Sequence, residues 1–277
     1  MTMLRIATNN AMNRAATLTG DTTAGYPPSN MLVDVKSLVH RSTPGNHGNT
    51  LTATWTTPEL VGVVCLPFCN LTPTASIRVQ VYSDTGGSTL VYDSGTIPAC
   101  PAPAVVLPGF TAAQAASAYA FGGGAYARCW FTPVLCGKLV ISLLDVSNLQ
   151  GYVETSRLFV ANWWAPAYNA DVGATLTFAS SSAQVRSDGG DLLTNIGPRF
   201  RKLSLRLSNL PTTDRAALAN VLYASGLDTP LLVSVFPNDT DASLERDYMI
   251  YGKLAQLSVL TLGTVGTTSL PLEIDEA

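Results

Sequence analysis

The side chains of this chain best equipped for chemistry are its five cysteines, its two histidines and a few closely spaced aspartates. Cys65, Cys69, Cys100, Cys129 and Cys136 all fall in the first half of the sequence. Cys65-x3-Cys69 and Cys129-x6-Cys136 each offer two thiolates, but neither has the two-residue gap of a zinc knuckle or a ferredoxin run. An odd number of cysteines without tight even spacing also differs from a small disulfide scaffold. The first reading is therefore buried free thiols, which behave as small core hydrophobes, and no cofactor. A zinc or iron–sulfur site at Cys65, Cys69, Cys129 and Cys136 is the alternative, and a disulfide is the third.

Nucleophilic catalysis needs a base beside an activated hydroxyl or thiol. His40 and His47 both lie in the polar stretch around Ser42, Thr43, Pro44 and Gly45, and the sequence has neither a Gly-x-Ser-x-Gly elbow nor a phosphate-cradling Gly-x-x-x-x-Gly-Lys pattern. Asp188 with Asp191 and Asp239 with Asp241 are the carboxylate pairs that acid–base chemistry would use. Both sit in glycine- or asparagine-rich turns, where aspartate normally bonds nearby backbone. These observations predict a protein that is not an enzyme.

Composition bounds the rest. Only 13% of the 277 residues are charged, against about 25% in an ordinary soluble domain. The net charge of -3 comes without a basic stripe, so there is no electrostatic footprint for nucleic acid. The charge-free tract Ser94–Ala127 carries Pro98, Pro101, Pro103, Pro108 and the run Gly122–Gly124, which would strand backbone groups in lipid and argue against a transmembrane helix. It is expected to pack on a neighbouring subunit. The first residues lack the apolar block of a secretory signal, which predicts synthesis in a cytoplasm.

Period-2 alternation interrupted by turn residues is the dominant pattern and predicts a mainly β protein. Ile77, Val79 and Val81 alternate with Arg78 and Gln80. The segment Asp84–Gly87 reads as a hairpin turn, with Leu90–Tyr92 returning. Lys138–Leu144 is an apolar β run, residues 145–151 break it, and Tyr152–Ala161 resumes as one strand. Trp163-Trp164-Ala165-Pro166 marks a boundary between residues 1–165 and a smaller α+β domain at 166–277. In the latter, Leu203, Leu205 and Leu207 alternate with polar residues. Thr212 or Thr213 is expected to cap one helix ending near Ser225, with Gly226 as a left-handed cap. Antiparallel strands are expected over 231–236, 247–254, 257–262 and 267–274.

The first half resembles the galactose-binding-like (discoidin-type) jelly roll, a β-sandwich. The resemblance is carried by Tyr26-Pro27-Pro28-Ser29-Asn30-Met31-Leu32-Val33-Asp34 and Val39-His40-Arg41-Ser42, by Leu51–Trp55, Val61–Leu66 and Ile77–Ser83 as successive strands, and by Gly151–Val160 as a closing strand with Glu154. The order of parts that follows is Trp163-Trp164-Ala165-Pro166, then Arg199-Phe200-Arg201-Lys202-Leu203-Ser204-Leu205, Gly226, the strand after Pro230, and Tyr251-Gly252. This order is similar to that of tail-tip or baseplate (distal-tail-like) proteins of long-tailed bacteriophages.

The second resemblance implies a structural virion component at the tail tip, made in the bacterial host cytoplasm. Its partners would be copies of itself in a ring and the tube, hub and tape-measure proteins. Charge depletion fits a surface buried by self-association. The alternative is a carbohydrate-binding module for host-surface glycans. Trp55, Tyr126, Trp130, Trp163 and Trp164 are the candidate assembly or ligand contacts.

Overall fold

The computed structural model describes residues 3–101, 124–257, 259–262 and 268–277. Most of the charge-free tract 94–127 lies outside the described residues, and so does its expected packing on a neighbour. Among the described residues, no helix is long and apolar enough to cross a membrane.

The protein is mainly β, with antiparallel pairing throughout. Its first sheet is organised by two long strands, Gly48–Cys69 and Ala125–Leu144, which pair over almost their whole length. The segments expected as two strands, Leu51–Trp55 and Val61–Leu66, are one continuous strand with a corner. Thr54 faces Lys138 and Glu59 faces Cys136, so residues 55–58 stand opposite Gly137 alone. Such an excess of residues bends a strand and adds twist. Glycine is needed at 137, because a Cβ there would lie 2.6 Å from the carbonyl carbon of Asp84.

Past the corner the partners change. Thr17–Thr19 and Ser76–Tyr82 extend the sheet on one side of it, while Phe159–Ala161 and Glu154–Thr155 join on the other. The two halves share one core, to which Leu51, Trp55, Val79 and Ile141 contribute together with Val64, Leu66, Ala127 and Val160. This makes a β-sandwich.

The expected alternation over Ser76–Tyr82 is present, with Ile77, Val79 and Val81 fully buried. Its turn forms as predicted: Gly87 takes φ +79°, and the Asp84 carboxylate accepts the Ser88 and Thr89 amides, which lower its pKa to about 2. Tyr152–Ala161 is corrected, since it divides into Glu154–Thr155 and Phe159–Ala161. Between them Ser156, Arg157 and Leu158 are all buried, so alternation fails. The Ser156 hydroxyl donates to the Lys36 carbonyl and the Arg157 guanidinium to Tyr251, Met31 and Asn13, satisfying polar groups that a strand would have turned to water.

The second sheet runs in the order Trp163–Trp164, Arg5–Ala7, Leu231–Ser234, Met249–Leu254, Thr268–Glu276, Arg199–Leu210, Thr175–Ser180, with Thr261–Leu262 beside Thr268–Glu276. Arg5–Ala7 thus lies among the C-terminal strands, paired with Leu232–Ser234. Leu203, Leu205 and Leu207 point inward as expected and face Ile274, Leu272 and Leu270. The helix Thr212–Ser225 adds Leu218 to this core.

The helix begins one residue earlier in its capping than expected. Pro211 occupies the N-cap and has no side-chain acceptor, so neither threonine hydroxyl serves there. The Asp214 carboxylate accepts the Ala167 amide, tying the helix start to the chain that enters this half. Gly226 has φ +51° with ψ -142°, a positive-φ end outside the left-handed helical region. A second helix, Ala242–Asp247, was not expected from the sequence. Asp241 caps it by accepting the Ser243 amide, and the following strand starts at Met249. Three further strands were also unforeseen, Thr175–Ser180, Ala183–Arg186 and Leu192–Asn195.

The two sheets meet at a seam. Val63, Cys65, Phe68, Tyr126 and Phe159 from the sandwich pack with Ala7, Leu232, Met249 and Tyr251 from the second sheet. Within the seam the Tyr126 hydroxyl donates to Glu276 at 2.6 Å, and Arg201 donates to the same carboxylate through Nε and Nη2. Arg128 donates to the fully buried Glu245 at 2.7 Å. Burial alone would raise the Glu276 pKa, but the charge and hydrogen bonds of Arg201 outweigh it and hold the carboxyl below its ordinary value.

Two outcomes are expected. Leu205→Asp sets a carboxylate against Leu272 and removes a buried leucine, which should cost more than about 3 kcal/mol and abolish the cooperative thermal transition followed by circular dichroism. A variant that keeps the cooperative transition would contradict the burial of Leu205 opposite Leu272. Glu276→Gln leaves Arg201 buried without its counterion and should cost about 3 kcal/mol at neutral pH. Because the Glu276 pKa is depressed on folding, its contribution is complete above the ordinary value of 4.5 and is lost as pH falls through the folded one. Urea midpoints measured from neutral to acid pH should therefore fall more steeply for the wild type than for Glu276→Gln; parallel lines would contradict the assignment.

Candidate functional site

The residues singled out by type are mostly interior. All five cysteines are free and buried. Cys65 lies in the seam, whereas Cys69, Cys129 and Cys136 lie in the sandwich core, so the two spaced pairs do not form one four-thiolate cluster. The Cys69 thiol donates to the Ala125 carbonyl at 3.3 Å, and Cys129 lies 3.7 Å from the Tyr92 hydroxyl. Burial raises the Cys65 pKa and pushes Cys136 up to about 12. Among the described residues, no group of three His, Cys, Asp or Glu side chains could hold a metal ion.

His40 is a buried cross-link. Its Nδ1 is 3.0 Å from the Tyr26 carbonyl and its Nε2 is 2.8 Å from the Asn49 amide, which makes Nδ1 the donor and Nε2 the acceptor of a neutral ring. Burial lowers its pKa accordingly. His47 Nδ1 lies 3.2 Å from the Asp145 carbonyl. Asp239 accepts the Asp241 amide, the turn bonding expected of it. Asp188 and Asp191 flank the tight turn of the hairpin 183–195.

Of the five aromatic candidates, three present no face to a ligand or subunit. Trp55 is buried, donating its indole N–H to the Ala11 carbonyl, and Tyr126 and Trp130 are buried in the seam. Trp163 is half-buried, donates to the Phe131 carbonyl at 2.8 Å and lies under the Arg5 guanidinium at 4.2 Å from the ring centroid. Trp164 packs against the second core. Large apolar rings were drawn inside because both faces of the strand segment Val61–Cys69 are covered, one by the sandwich and one by the seam.

Two surface features remain. The first is at one end of the sandwich, where His40–Arg41 pairs with Glu154–Thr155 and brings Arg41 opposite Glu154. The two form an ion pair, and the Arg41 guanidinium lies 4.2 Å from the Tyr26 ring centroid and 5.0 Å from that of Tyr152. Asn70 holds the neighbouring chain by donating to Gln150 and to the Tyr152 carbonyl, while accepting the Glu154 amide. Side-chain exposures of 31% and 24% leave Arg41 and Glu154 reachable from solvent. Aromatic faces beside a charged planar pair can contact the C–H face of a sugar and exchange hydrogen bonds with its hydroxyls.

The second feature is the hairpin Ala183–Arg186 and Leu192–Asn195. It pairs with no other strand among the described residues, and all of its strand positions are exposed. Val185 stands opposite Leu193, and Ile196 follows at 87% exposure. Beside it, Thr175–Ser180 ends the second sheet with Phe178 more than half exposed. An isolated two-stranded hairpin is marginally stable in water, and its exposed Val185, Leu192 and Leu193 are poorly suited to stand uncovered.

No protein-family model and no curated protein matches the chain. Among solved structures, it is similar to a Ruminococcus gnavus GH29 fucosidase in complex with fucose, at 14% identity and TM-score 0.38, over 56% of this chain and 26% of that one. A chitosan-binding module from a Paenibacillus chitosanase/glucanase gives 14% identity and TM-score 0.38 over 56% of this chain and 99% of that one. A Streptococcus pneumoniae fucose binding module gives 11% and 0.37 over 56% and 96%. None of these three is a tail protein, and likenesses of this size carry no argument about what the chain binds.

Proposed function

We propose that this chain is a non-catalytic assembly subunit that joins copies of itself through the free end of its second sheet into a ring, the role of the bacteriophage tail-tip proteins its order of parts resembles. The observation that carries this reading is the hairpin 183–195, which pairs with no other strand among the described residues and leaves Val185, Leu192 and Leu193 exposed. The second sheet has two unlike ends, Thr175–Ser180 and Trp163–Trp164. Contact between unlike ends is heterologous, and a heterologous contact that closes produces a ring. An open edge strand supplies the unpaired backbone groups for it. Tube, hub and tape-measure proteins would then be the neighbours along a tail.

A second reading, glycan recognition by the sandwich, is favoured by Arg41 lying between Tyr26 and Tyr152 with Glu154 at its head. The two functions use opposite parts of the chain and are compatible.

Light scattering on the purified protein should give a large closed oligomer. Val185→Asp with Leu193→Asp should disperse it without altering the circular dichroism spectrum, since both side chains are exposed within one chain. A wild type that stays monomeric at assembly concentrations, or a variant that assembles unchanged, would overturn the ring. For the second reading, a glycan array should give wild-type signals that Arg41→Ala reduces by about tenfold or more, the loss of a charge-assisted contact. Absence of any wild-type signal would remove that reading and leave the first intact.

A further inference from the structure

The seam is open at one place to a cleft of about 290 Å3, close to the lower end of the 300–1,000 Å3 range of small-molecule sites. Neither the hairpin nor the sandwich end contributes to it. We propose that this cleft is a saccharide site, which binds a neutral sugar ring through its vicinal hydroxyls. The proposal shares its ligand class with the second reading above, but it concerns a different place and does not depend on Arg41.

The polar wall is preorganised. Arg14 donates through Nε and Nη2 to both oxygens of Glu59, at 2.6 and 2.9 Å, and through Nη1 to the Asn9 side-chain oxygen at 2.7 Å. Arg14 comes from the short 3-10 turn Ala11–Arg14, and Glu59 comes from the far side of the corner in Gly48–Cys69. Asn9 takes φ +60°, a conformation that asparagine tolerates better than most residues. Strained backbone positions of this kind gather at binding sites. Asn9 and Asn162 also line the cleft, and their side-chain amides are donors suited to sugar hydroxyls.

Trp163, Trp164, Leu60 and Val221 line the cleft as well, from Trp163–Trp164, Gly48–Cys69 and the helix Thr212–Ser225. Apolar side chains beside hydrogen-bonding groups suit the two-sided character of a pyranose, which has hydroxyls at its rim and C–H groups on its faces.

Charge selects the ligand class. Among the described residues, Arg14 and Glu59 are the only ionised side chains lining the cleft, and they neutralise each other. A phosphate or an ammonium ligand would therefore meet no uncompensated opposite charge. A neutral ligand rich in paired hydroxyls can use the Arg14–Glu59 pair without separating it, because each carboxylate oxygen retains acceptor capacity beyond its arginine bond. Arg14 also holds the Glu59 carboxyl below its ordinary pKa, keeping it an acceptor in mildly acid solution.

The test is saturation-transfer NMR on the full chain with galactose, glucose, mannose, L-fucose and N-acetylglucosamine, each titrated separately. At least one should give saturable binding that Arg41→Ala leaves unchanged. Glu59→Gln should weaken it about tenfold or more by removing an ionic acceptor. Val221→Trp, which adds bulk to the cleft from the helix side, should abolish it, with the melting temperature of each variant recorded alongside. If Glu59→Gln fails to fold, Val221→Trp decides. The proposal is overturned if none of the sugars binds saturably, if both cleft variants bind as the wild type does, or if Arg41→Ala removes the signal and so places the binding at the sandwich end.

Discussion

Both layers of the sandwich depend on a single antiparallel ladder, the one between Gly48–Cys69 and Ala125–Leu144. It bends at residues 55–58 opposite Gly137, and from that corner its two halves face each other across the core. The same corner carries Glu59 and Leu60 to the mouth of the seam cleft. Beyond it, the strand presents Val64 and Leu66 to the sandwich core and Val63 and Cys65 to the second sheet. One strand thereby serves as a wall for two cores. This geometry explains why Trp130 and Tyr126, on the partner strand, end inside the molecule.

The scarcity of charge takes on a more specific meaning in this light. Several of the few ionised groups are spent inside the chain: Arg201 with Glu276, Arg128 with Glu245, and Arg157 against Tyr251. Buried ion pairs contribute little net stability, because desolvation offsets their attraction, but removing one partner is costly. Arg128 with Glu245, Arg157 with Tyr251 and Tyr126 with Glu276 join the sandwich to the second part of the chain. The surface left behind is poor in charge and, at the hairpin 183–195, exposes Val185, Leu192 and Leu193. Exposed apolar side chains beside an open sheet edge are what the proposed ring subunit requires.

Much of the fold was legible locally. The alternation in Ser76–Tyr82 and in Lys202–Leu210, the turn at Asp84–Gly87 and the body of the helix Thr212–Ser225 all stand where their residue patterns put them. The errors have physical causes. Tyr152–Ala161 looks like one strand because its polar residues alternate, yet Arg157 finds buried partners and the ladder breaks. The helix Ala242–Asp247 is too short for a helical period to emerge, and only the Asp241 cap marks it. The candidate contacts were chosen for aromatic character, which favours burial as much as binding. The sandwich-end cluster was half visible, since Tyr26, Arg41 and Glu154 all lie in the segments that carry the jelly-roll resemblance.

The sequence by itself determined which residues point in or out of individual strands, where turns interrupt them, and that few charges would remain for a wet surface. These are properties of neighbouring residues, and side-chain alternation and turn chemistry act over a few positions. Only the tertiary structure decided that Arg5–Ala7 joins the C-terminal sheet and that Arg41 meets Glu154 across 113 residues of chain. It also decided that Arg14 and Glu59 close on each other beside two tryptophans. Those pairings arise from hydrogen-bond ladders between distant strands, and the register of a ladder leaves no mark on the local pattern of either strand.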